Sequence, residues 1–367
     1  MILIGTDEGL HRWFEGSPWP IFHSLQGRSV LALAAPGGGL LAALDGGGRL
    51  FETTSNGMDW RPVPLPGGAG RPTALTIAGT PGSILIATKS LGLFRRPLGV
   101  SADPGGSPWE IARRLAPALV DRARSYAPKA VGGARGVAAT APRPVGVSTV
   151  DLAGWTSLAA PGSGGGTSEV RVLAASPGAE TAWYAAVAGA GLSKSADSGA
   201  SWARCSGLPD DVYALRFAPG SPGLAFAATS DGCWISSDGG ETWADNSEGL
   251  GEARHIRAID VKPGEPQILL AGAAPKPGAS GVAPRDGLRF ALYESADGGK
   301  TWSHVKRGAP EDLRYDAIVD IRFDPAAPRN IAVALGSGEL WCSRNGGEYW
   351  GPLARQMKSA RALAATA

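Results

Sequence analysis

Acidic residues on predicted loops are the first side chains of this sequence that could carry out catalysis. Asp7, Asp231 and Asp286 each lie in a loop between the second and third predicted strands of a repeating unit. Two carboxyl groups held at a fixed separation are what glycoside hydrolysis requires, with one acting as acid and the other as base or nucleophile. Because most surface acids are simply solvated, these three define an alternative function, a glycan-active hydrolase or lyase.

A second set of residues, most of them arginines, lies where the predicted first strand of each unit begins. Guanidinium groups bind carboxylates and phosphates through paired hydrogen bonds. In a β-propeller these strand starts converge on the mouth of the central channel, a common place for ligands. The set predicts a site for a protein partner or for an acidic or glycan ligand, unless each arginine only pairs with a neighbouring acid. The ligand-binding candidates are Arg28, Arg71, Arg124, Arg171, His255, Arg257, Arg314 and Tyr315.

The sequence contains none of the residue spacings that are typical of metal or cofactor sites. The four histidines His11, His23, His255 and His304 fall in different units, without an HxxxH or CxxC arrangement. No phosphate-binding GxxxxGK[ST] loop, no strand-to-helix GxGxxG and no GxSxG elbow occurs. The three cysteines show no paired spacing. We therefore expect no cofactor and no metal.

The elements that must position these residues are marked by a short phrase that recurs and ends in tryptophan. Its clear copies read SADSGASW, SSDGGETW, SADGGKTW and SRNGGEYW, ending at Trp202, Trp243, Trp302 and Trp350. Looser copies end at Trp60 and Trp109, and Trp19 and Trp155 occupy the same position with most of the phrase lost. Eight such units in 367 residues average about 46 residues each, a period typical of propeller blades.

The acidic position of the phrase is best explained by turn chemistry. Asp and Asn side chains accept hydrogen bonds from backbone N–H groups a few residues ahead, and glycine adopts the left-handed conformation without steric cost. The tryptophan is expected to bury its ring where neighbouring blades meet. A calcium site would need several converging oxygen ligands, and each turn supplies one carboxylate. We predict a structural role for Asp103, Asp197, Asp238, Asp297 and Asn345.

The phrase Ser-x-Asp-x-Gly-x-Thr-Trp resembles the Asp-box, or bacterial neuraminidase repeat. That repeat occurs in sialidases, family 74 glycoside hydrolases, the sortilin ectodomain and photosystem II assembly factors of the Ycf48 type. The resemblance implies a propeller whose boxes lie on the rim opposite the ligand face. It gives little support to sialidase activity, because the Arg-Ile-Pro motif is missing. Family 74 enzymes pair two propellers around a glucan, and this chain is expected to supply one.

The strand pattern agrees with a propeller throughout the chain. Short apolar runs bounded by Gly, Pro and Asp recur in the same order, for example Val212–Phe217, Leu224–Ala228 and Cys233–Ser236. The fold prediction is one all-β domain over residues 1–367, an eight-bladed propeller of four-stranded antiparallel blades. The C-terminal run Ala360–Ala364 is expected to pair with the N-terminal blade and close the ring. The alternative is seven blades with an insertion at residues 118–126.

Net charge and hydropathy exclude some classes of partner. With 35 Lys and Arg against 33 Asp and Glu, the net charge of +2 is too small to favour nucleic acid. No apolar run approaches the roughly 18 residues of a membrane span. Without a visible secretory signal, the sequence predicts a cytoplasmic protein, or a secreted one whose leader has been removed. The leading functional hypothesis is a non-catalytic binding or assembly module of the Ycf48-like kind.

Overall fold

The computed structural model describes twelve segments of the chain. They are residues 1–37, 40–66, 71–78, 83–88, 92–97, 155–159, 161, 169–177, 181–276, 290–306, 317–353 and 360–366. Strands β1 to β28 account for all the regular structure in these segments. No helix in them is long and apolar enough to cross a membrane.

The strands form seven separate four-stranded antiparallel sheets, which we call blades 1 to 7. Within each blade the strands are given from the innermost to the outermost. Blade 1 consists of β28 (Ala360–Ala365), β1 (Ile2–Thr6), β2 (Gly9–Trp13) and β3 (Ile21–Ser24). Blade 2 consists of β4 (Val30–Gly37), β5 (Leu40–Asp45), β6 (Leu50–Thr53) and β7 (Arg61–Val63). Blade 3 consists of β8 (Pro72–Ala78), β9 (Ser83–Thr88), β10 (Gly92–Pro97) and β11 (Thr156–Leu158).

The remaining four blades each use four consecutive strands. Blade 4 consists of β12 (Val170–Ala175), β13 (Trp183–Val187), β14 (Gly191–Ser195) and β15 (Ala203–Arg204). Blade 5 consists of β16 (Val212–Ala218), β17 (Ser221–Thr229), β18 (Gly232–Ser236) and β19 (Ala244–Asp245). Blade 6 consists of β20 (His255–Val261), β21 (Leu269–Ala274), β22 (Ala291–Ser295) and β23 (Ser303–His304). Blade 7 consists of β24 (Ile318–Phe323), β25 (Ile331–Leu335), β26 (Leu340–Ser343) and β27 (Gly351–Pro352).

The prediction of eight blades is wrong, and the seven-bladed alternative holds. Strand β11, directly after Trp155, pairs with β10 and so completes blade 3. Strands β10 and β11 are therefore neighbours in one blade, although the spacing of the tryptophans predicted a separate unit between them. Trp155 is buried, and its indole Nε1 donates to the Pro64 carbonyl at 2.7 Å, which joins blade 3 to blade 2. Asp103, Trp109 and the insertion at 118–126 fall outside the described residues.

The two ends of the chain meet in blade 1. Strand β28 pairs antiparallel with β1, so that Ile2 lies opposite Ala365 and Ile4 opposite Leu363. This is the pairing predicted from the sequence. Strand pairing, however, stays within each of the seven four-stranded sheets, and the described strands show no closed ring of pairing.

The core lies between blades. The second strand of each blade is buried on both faces, as in Ile331–Leu335, because a neighbouring sheet covers each face. One core cluster joins Phe226 of blade 5 to Ile256, Leu269 and Trp302 of blade 6. The fourth strands are short and mostly exposed, which limits the edge available for wrong pairing. This packing holds seven inner strands around a common centre.

Candidate functional site

A central cavity of about 260 Å³ is lined by the inner strands of all seven blades. Its lining is strongly basic. The charged residues among those that line it are Arg171, Arg216, Arg257, Arg322, Arg361 and Asp320. Inner strands of five different blades thus bring together guanidinium groups that are far apart in the sequence.

A β-bulge recurs near the start of every inner strand. At each one the pairing with the second strand skips one residue, which is left without an opposite partner and turns out of the sheet. All seven skipped residues line the central cavity, and we call them the mouth ring. In blade order the mouth ring is Arg361, Leu31, Thr73, Arg171, Tyr213, Arg257 and Val319.

One side of the mouth ring forms an aromatic and cationic cluster. The guanidinium carbons of Arg171 and Arg257 lie 5.3 and 5.5 Å from the centre of the Tyr213 ring, each from a neighbouring blade. The ring of His255 packs edge-on against Tyr213 at 5.1 Å. Burial lowers the pKa of His255, the positive charge of Arg257 lowers it further, and Asp211 opposes both effects. This histidine is therefore a neutral packing element at neutral pH.

The arginines of the mouth ring differ in how they are paired. Arg171 bonds to Asp211 at 2.6 Å, and Arg361 holds Asp7 through two nitrogens at 3.0 and 3.2 Å. Arg257 is exposed and forms no ion pair with any described residue. Its donors are therefore available for a ligand at the channel mouth.

Deeper in the channel lies a group of four charged residues that the sequence analysis missed. Arg216 contacts Asp260 and Asp320 at 3.4 Å each, and Arg322 bonds to Asp320 at 2.6 Å. The backbone N–H of Phe323 donates to Asp260 at 2.8 Å. Burial raises the pKa of Asp260 and lowers that of Arg216. The two arginines and two aspartates carry formal charges that sum to zero, so this group adds no net charge to the channel.

The acids predicted as catalytic candidates are held by basic residues. Asp231 accepts from Arg254 at 2.6 Å and lies 2.8 Å from Lys276, and hydrogen bonds from these two lower its pKa. Asp7 belongs to the pair with Arg361 described above and also accepts from Ser29 at 2.7 Å. A carboxylate paired in this way is stabilised as the anion, whereas a general acid needs a raised pKa. Asp286 lies outside the described residues.

Two of the predicted binding arginines lie next to the mouth ring rather than in it. Arg28 contacts Asp45 at 3.3 Å and stacks on Phe51 at 4.5 Å. Arg71 donates to the Gly46 carbonyl. Both side chains therefore hold the turn between β5 and β6, and blades 2 and 3 present Leu31 and Thr73 to the channel instead. Arg124, Arg314 and Tyr315 fall outside the described residues.

The Asp-containing turns use their carboxylates internally. Asp197 accepts from the Ser195 hydroxyl at 2.8 Å, from the Ser201 backbone N–H at 2.8 Å and from the Ser201 hydroxyl at 2.6 Å. Asp238 and Asp297 make the corresponding bonds. Within the described residues, no group of three or more His, Cys, Asp or Glu side chains is arranged to hold a metal ion.

These turns should lose stabilising contacts in acid. The hydroxyl bond and the backbone bond to each carboxylate lower the pKa of Asp197 and Asp297 from 3.8 to about 2, and that of Asp238 falls further. Because folding lowers these pKa values, the stabilisation is present above about pH 4 and is lost as the pH falls towards about 2. We expect a triple variant with Asn at all three positions to lose less stability over this window than the native chain.

The measurement is the urea midpoint as a function of pH for both proteins. Asn345, the natural amide in the fourth clear turn, accepts the N–H of Tyr349 at 3.0 Å and serves as the internal reference for an uncharged turn. Curves that run parallel between pH 4 and pH 2 would contradict the assignment.

Solved structures similar to this chain include β-propellers of two GH74 enzymes and of a Ycf48 protein. The GH74 xyloglucanase from Xanthomonas campestris is 17% identical with a TM-score of 0.60, and the match covers 96% of this chain and 52% of that one. The GH74 enzyme of Niastella koreensis is 14% identical with a TM-score of 0.62, covering 95% and 51%. A Ycf48 protein bound to a D1 peptide is 14% identical with a TM-score of 0.54, covering 93% and 87%.

These similarities show the fold class of the chain and do not show its function. The chain is a seven-bladed β-propeller of four-stranded antiparallel blades, and it shares the β-propeller fold with these neighbours. It spans about half the length of the two GH74 enzymes. No protein-family model and no curated protein matches the sequence.

Proposed function

We propose that this propeller is a non-catalytic binding or assembly module that captures an acidic segment of a protein at its channel mouth. The observation that carries the proposal is the placement of Arg171 and Arg257 on either side of Tyr213, with Arg257 exposed and unpaired among the described residues. An unpaired guanidinium beside an aromatic ring offers a forked donor for a carboxylate and an apolar face for the adjoining chain.

The side chains around the channel mouth are suited to binding a peptide. The mouth ring also contains the apolar side chains Leu31 and Val319, so charged and apolar groups alternate around one opening. Interface anchors are commonly Tyr and Arg, and both occur here side by side. The Ycf48 neighbour was solved with a bound peptide, which supports the same use of this fold.

The alternative is a glycan-active enzyme, since the GH74 neighbours share the fold. Asp260 has a raised pKa, a property that general acids need. Its two oxygens, however, face Arg216 and the Phe323 N–H. Because the described acids near the channel are engaged in this way, the geometry favours binding over hydrolysis.

Loss of the Arg257 side chain should weaken binding of an acidic peptide by roughly tenfold or more, the effect of one charge-assisted hydrogen-bond donor. The probe is a fluorescein-labelled peptide rich in Glu and Tyr, with a Gln-for-Glu peptide as its neutral counterpart. Fluorescence anisotropy then compares the native chain with Arg257→Ala and Arg257→Lys. Lysine keeps the charge but lacks the fork, so its affinity should fall between the other two.

The matched control is Arg61→Ala, which removes an exposed arginine from the outer strand of blade 2. Binding that is equally weakened by Arg61→Ala and Arg257→Ala would show that the mouth is not the site. Release of reducing sugar from a glucan panel, abolished by Asp260→Asn, would instead favour the glycan enzyme.

A further inference from the structure

The outer strand of blade 1 differs from the other outer strands. Strand β3 exposes two large apolar side chains, Ile21 at 40% and Phe22 at 44%. The other six outer strands in the described segments expose no large apolar side chain. Exposed edge strands are usually kept short and polar because they invite pairing with another chain. Blade 1 lacks this protection.

More exposed aromatic residues surround this strand. Phe14 and Trp19 lie in the connection that precedes β3, and Trp19 is 63% exposed. The sequence predicted a buried ring at Trp19, but Trp13 is the buried indole of this blade, with Nε1 donating to the Ser17 carbonyl at 3.1 Å. Trp19 is therefore free for contact outside the blade. Exposed apolar groups that cluster in this way commonly mark an interaction surface.

The neighbouring turn of blade 7 departs from the repeat on the same side. Three turns place Ser201, Thr242 or Thr301 where a hydroxyl bonds to the turn carboxylate, whereas the turn of blade 7 has Tyr349. Tyr349 keeps only its backbone bond to Asn345, and its ring is 68% exposed. A local rule broken at one copy of a repeat is a typical sign of function.

A cavity of about 280 Å³ lies between these two blades. Pro18 of blade 1 and Arg344, Tyr349 and Leu353 of blade 7 are among the residues that line it. Arg344 donates to the Pro18 carbonyl and stacks over the Trp13 ring at 5.5 Å. The exposed Trp19 is the next residue after Pro18, so an anchor and a receiving cavity lie side by side.

We name this surface the rim patch, defined by Phe14, Trp19, Ile21, Phe22 and Tyr349. Its position follows from strand direction. Inner strands begin at the mouth ring, so in each antiparallel blade the connection from third to fourth strand lies at the other end. The rim patch is therefore on the face opposite the channel mouth, and it is independent of the proposed ligand site.

We propose that the rim patch is the interface with a second copy of this chain. A two-fold interface requires one surface that complements itself, and here each copy supplies both an aromatic anchor and a cavity. From the exposed fractions, the five side chains offer on the order of 450 Å² of apolar area, close to the apolar share of a standard interface of about 800 Å² per partner.

Charge also favours self-association. Strand β3 carries no Asp, Glu, Lys or Arg, so antiparallel pairing of two copies places no like charges opposite each other. Residues adjacent in sequence to the patch carry charges of both signs, since Glu15, Glu348 and Arg344 are all exposed. Each copy can thus offer the other a complementary rim.

Sedimentation velocity over a range of concentrations from low micromolar upward tests the proposal. The native chain should dimerise, and Phe22→Lys should weaken the dimer by about a hundredfold or more, because two lysines would meet across the two-fold axis. Trp19→Ala should weaken it by at least about tenfold through loss of the anchor. The matched control, Ala244→Lys, places the same charge on the outer strand of blade 5 and should leave the dimer unchanged.

All variants are compared after circular dichroism has shown the native β-sheet signal. A native chain that stays monomeric at every concentration overturns the proposal. So does a dimer that survives both Phe22→Lys and Trp19→Ala, or one that Ala244→Lys disrupts equally.

Discussion

Replacement of Trp302 by alanine is expected to lower the free energy of unfolding by about 3–5 kcal/mol. The indole is buried within the cluster that joins blades 5 and 6, where it packs with Phe226, Ile256 and Leu269. Truncation removes these contacts and leaves a cavity that two rigid sheets cannot close. Among the tryptophans of the repeat, this one should therefore have a large structural effect.

The Trp302 indole also binds the chain that connects the two blades. Its Nε1 donates to the Asn246 carbonyl at 3.0 Å, while the Nε1 atoms of Trp243 and Trp350 donate to carbonyls within their own turns. The backbone N–H of Trp302 donates to the Glu248 carbonyl at 2.8 Å, a bond that the alanine variant keeps. The predicted loss of unfolding free energy in Trp302→Ala therefore measures the contribution of the side chain, because the backbone bond of the turn is retained.

Urea unfolding monitored by far-ultraviolet circular dichroism measures this change. Trp302→Phe retains most of the packing and should lose less than Trp302→Ala. Trp19→Ala, at a low protein concentration, is the exposed control and should stay within about 0.5 kcal/mol of the native chain. Equal losses for Trp19→Ala and Trp302→Ala would mean that the buried tryptophan does not join the blades.

The repeat allowed the propeller to be predicted because its turn chemistry is local. Asp238 and Gly240 specify a tight turn without help from distant residues, so each clear copy marks the end of a third strand. The number of blades depends on pairing between distant segments, which spacing does not report. Trp155 looked like the end of its own unit, yet the strand after it pairs with β10.

The site was predicted only in part for a related reason. Arg171 and Arg257 were identified as candidates because they start inner strands, and the structure places both beside Tyr213. The bulges that turn them towards the channel arise from mismatched pairing between strands, and no single sequence signal marks them. The predicted candidates therefore included Arg28, although this side chain faces Asp45.

The charged group deeper in the channel did leave a signal in the sequence. Arg216, Asp260 and Asp320 each lie between two apolar residues of an inner strand, in VYALRFA, HIRAIDV and IVDIRF. A charge inside a buried strand needs a partner, because an isolated buried charge is costly. Three such charges in successive blades indicate mutual pairing, an inference that needs the blade order as well as the residue types.

Breaking the buried ion pair between blades 2 and 3 should also be costly. Arg96 on β10 donates to Glu52 on β6 at 2.9 Å, and the two side chains are only 2% and 8% exposed. Arg96→Met leaves the Glu52 carboxylate buried without this cation, which should cost about 3–5 kcal/mol. The exposed pair Arg204–Asp210 supplies the control, and Arg204→Met should cost less than about 1 kcal/mol.

A further variant separates charge burial from loss of packing. The double variant Arg96→Met/Glu52→Leu removes both charges and should regain most of the loss, because an apolar pair can replace a buried ion pair. A double variant as unstable as Arg96→Met would show that the aliphatic stem of Arg96 matters and that its charge does not.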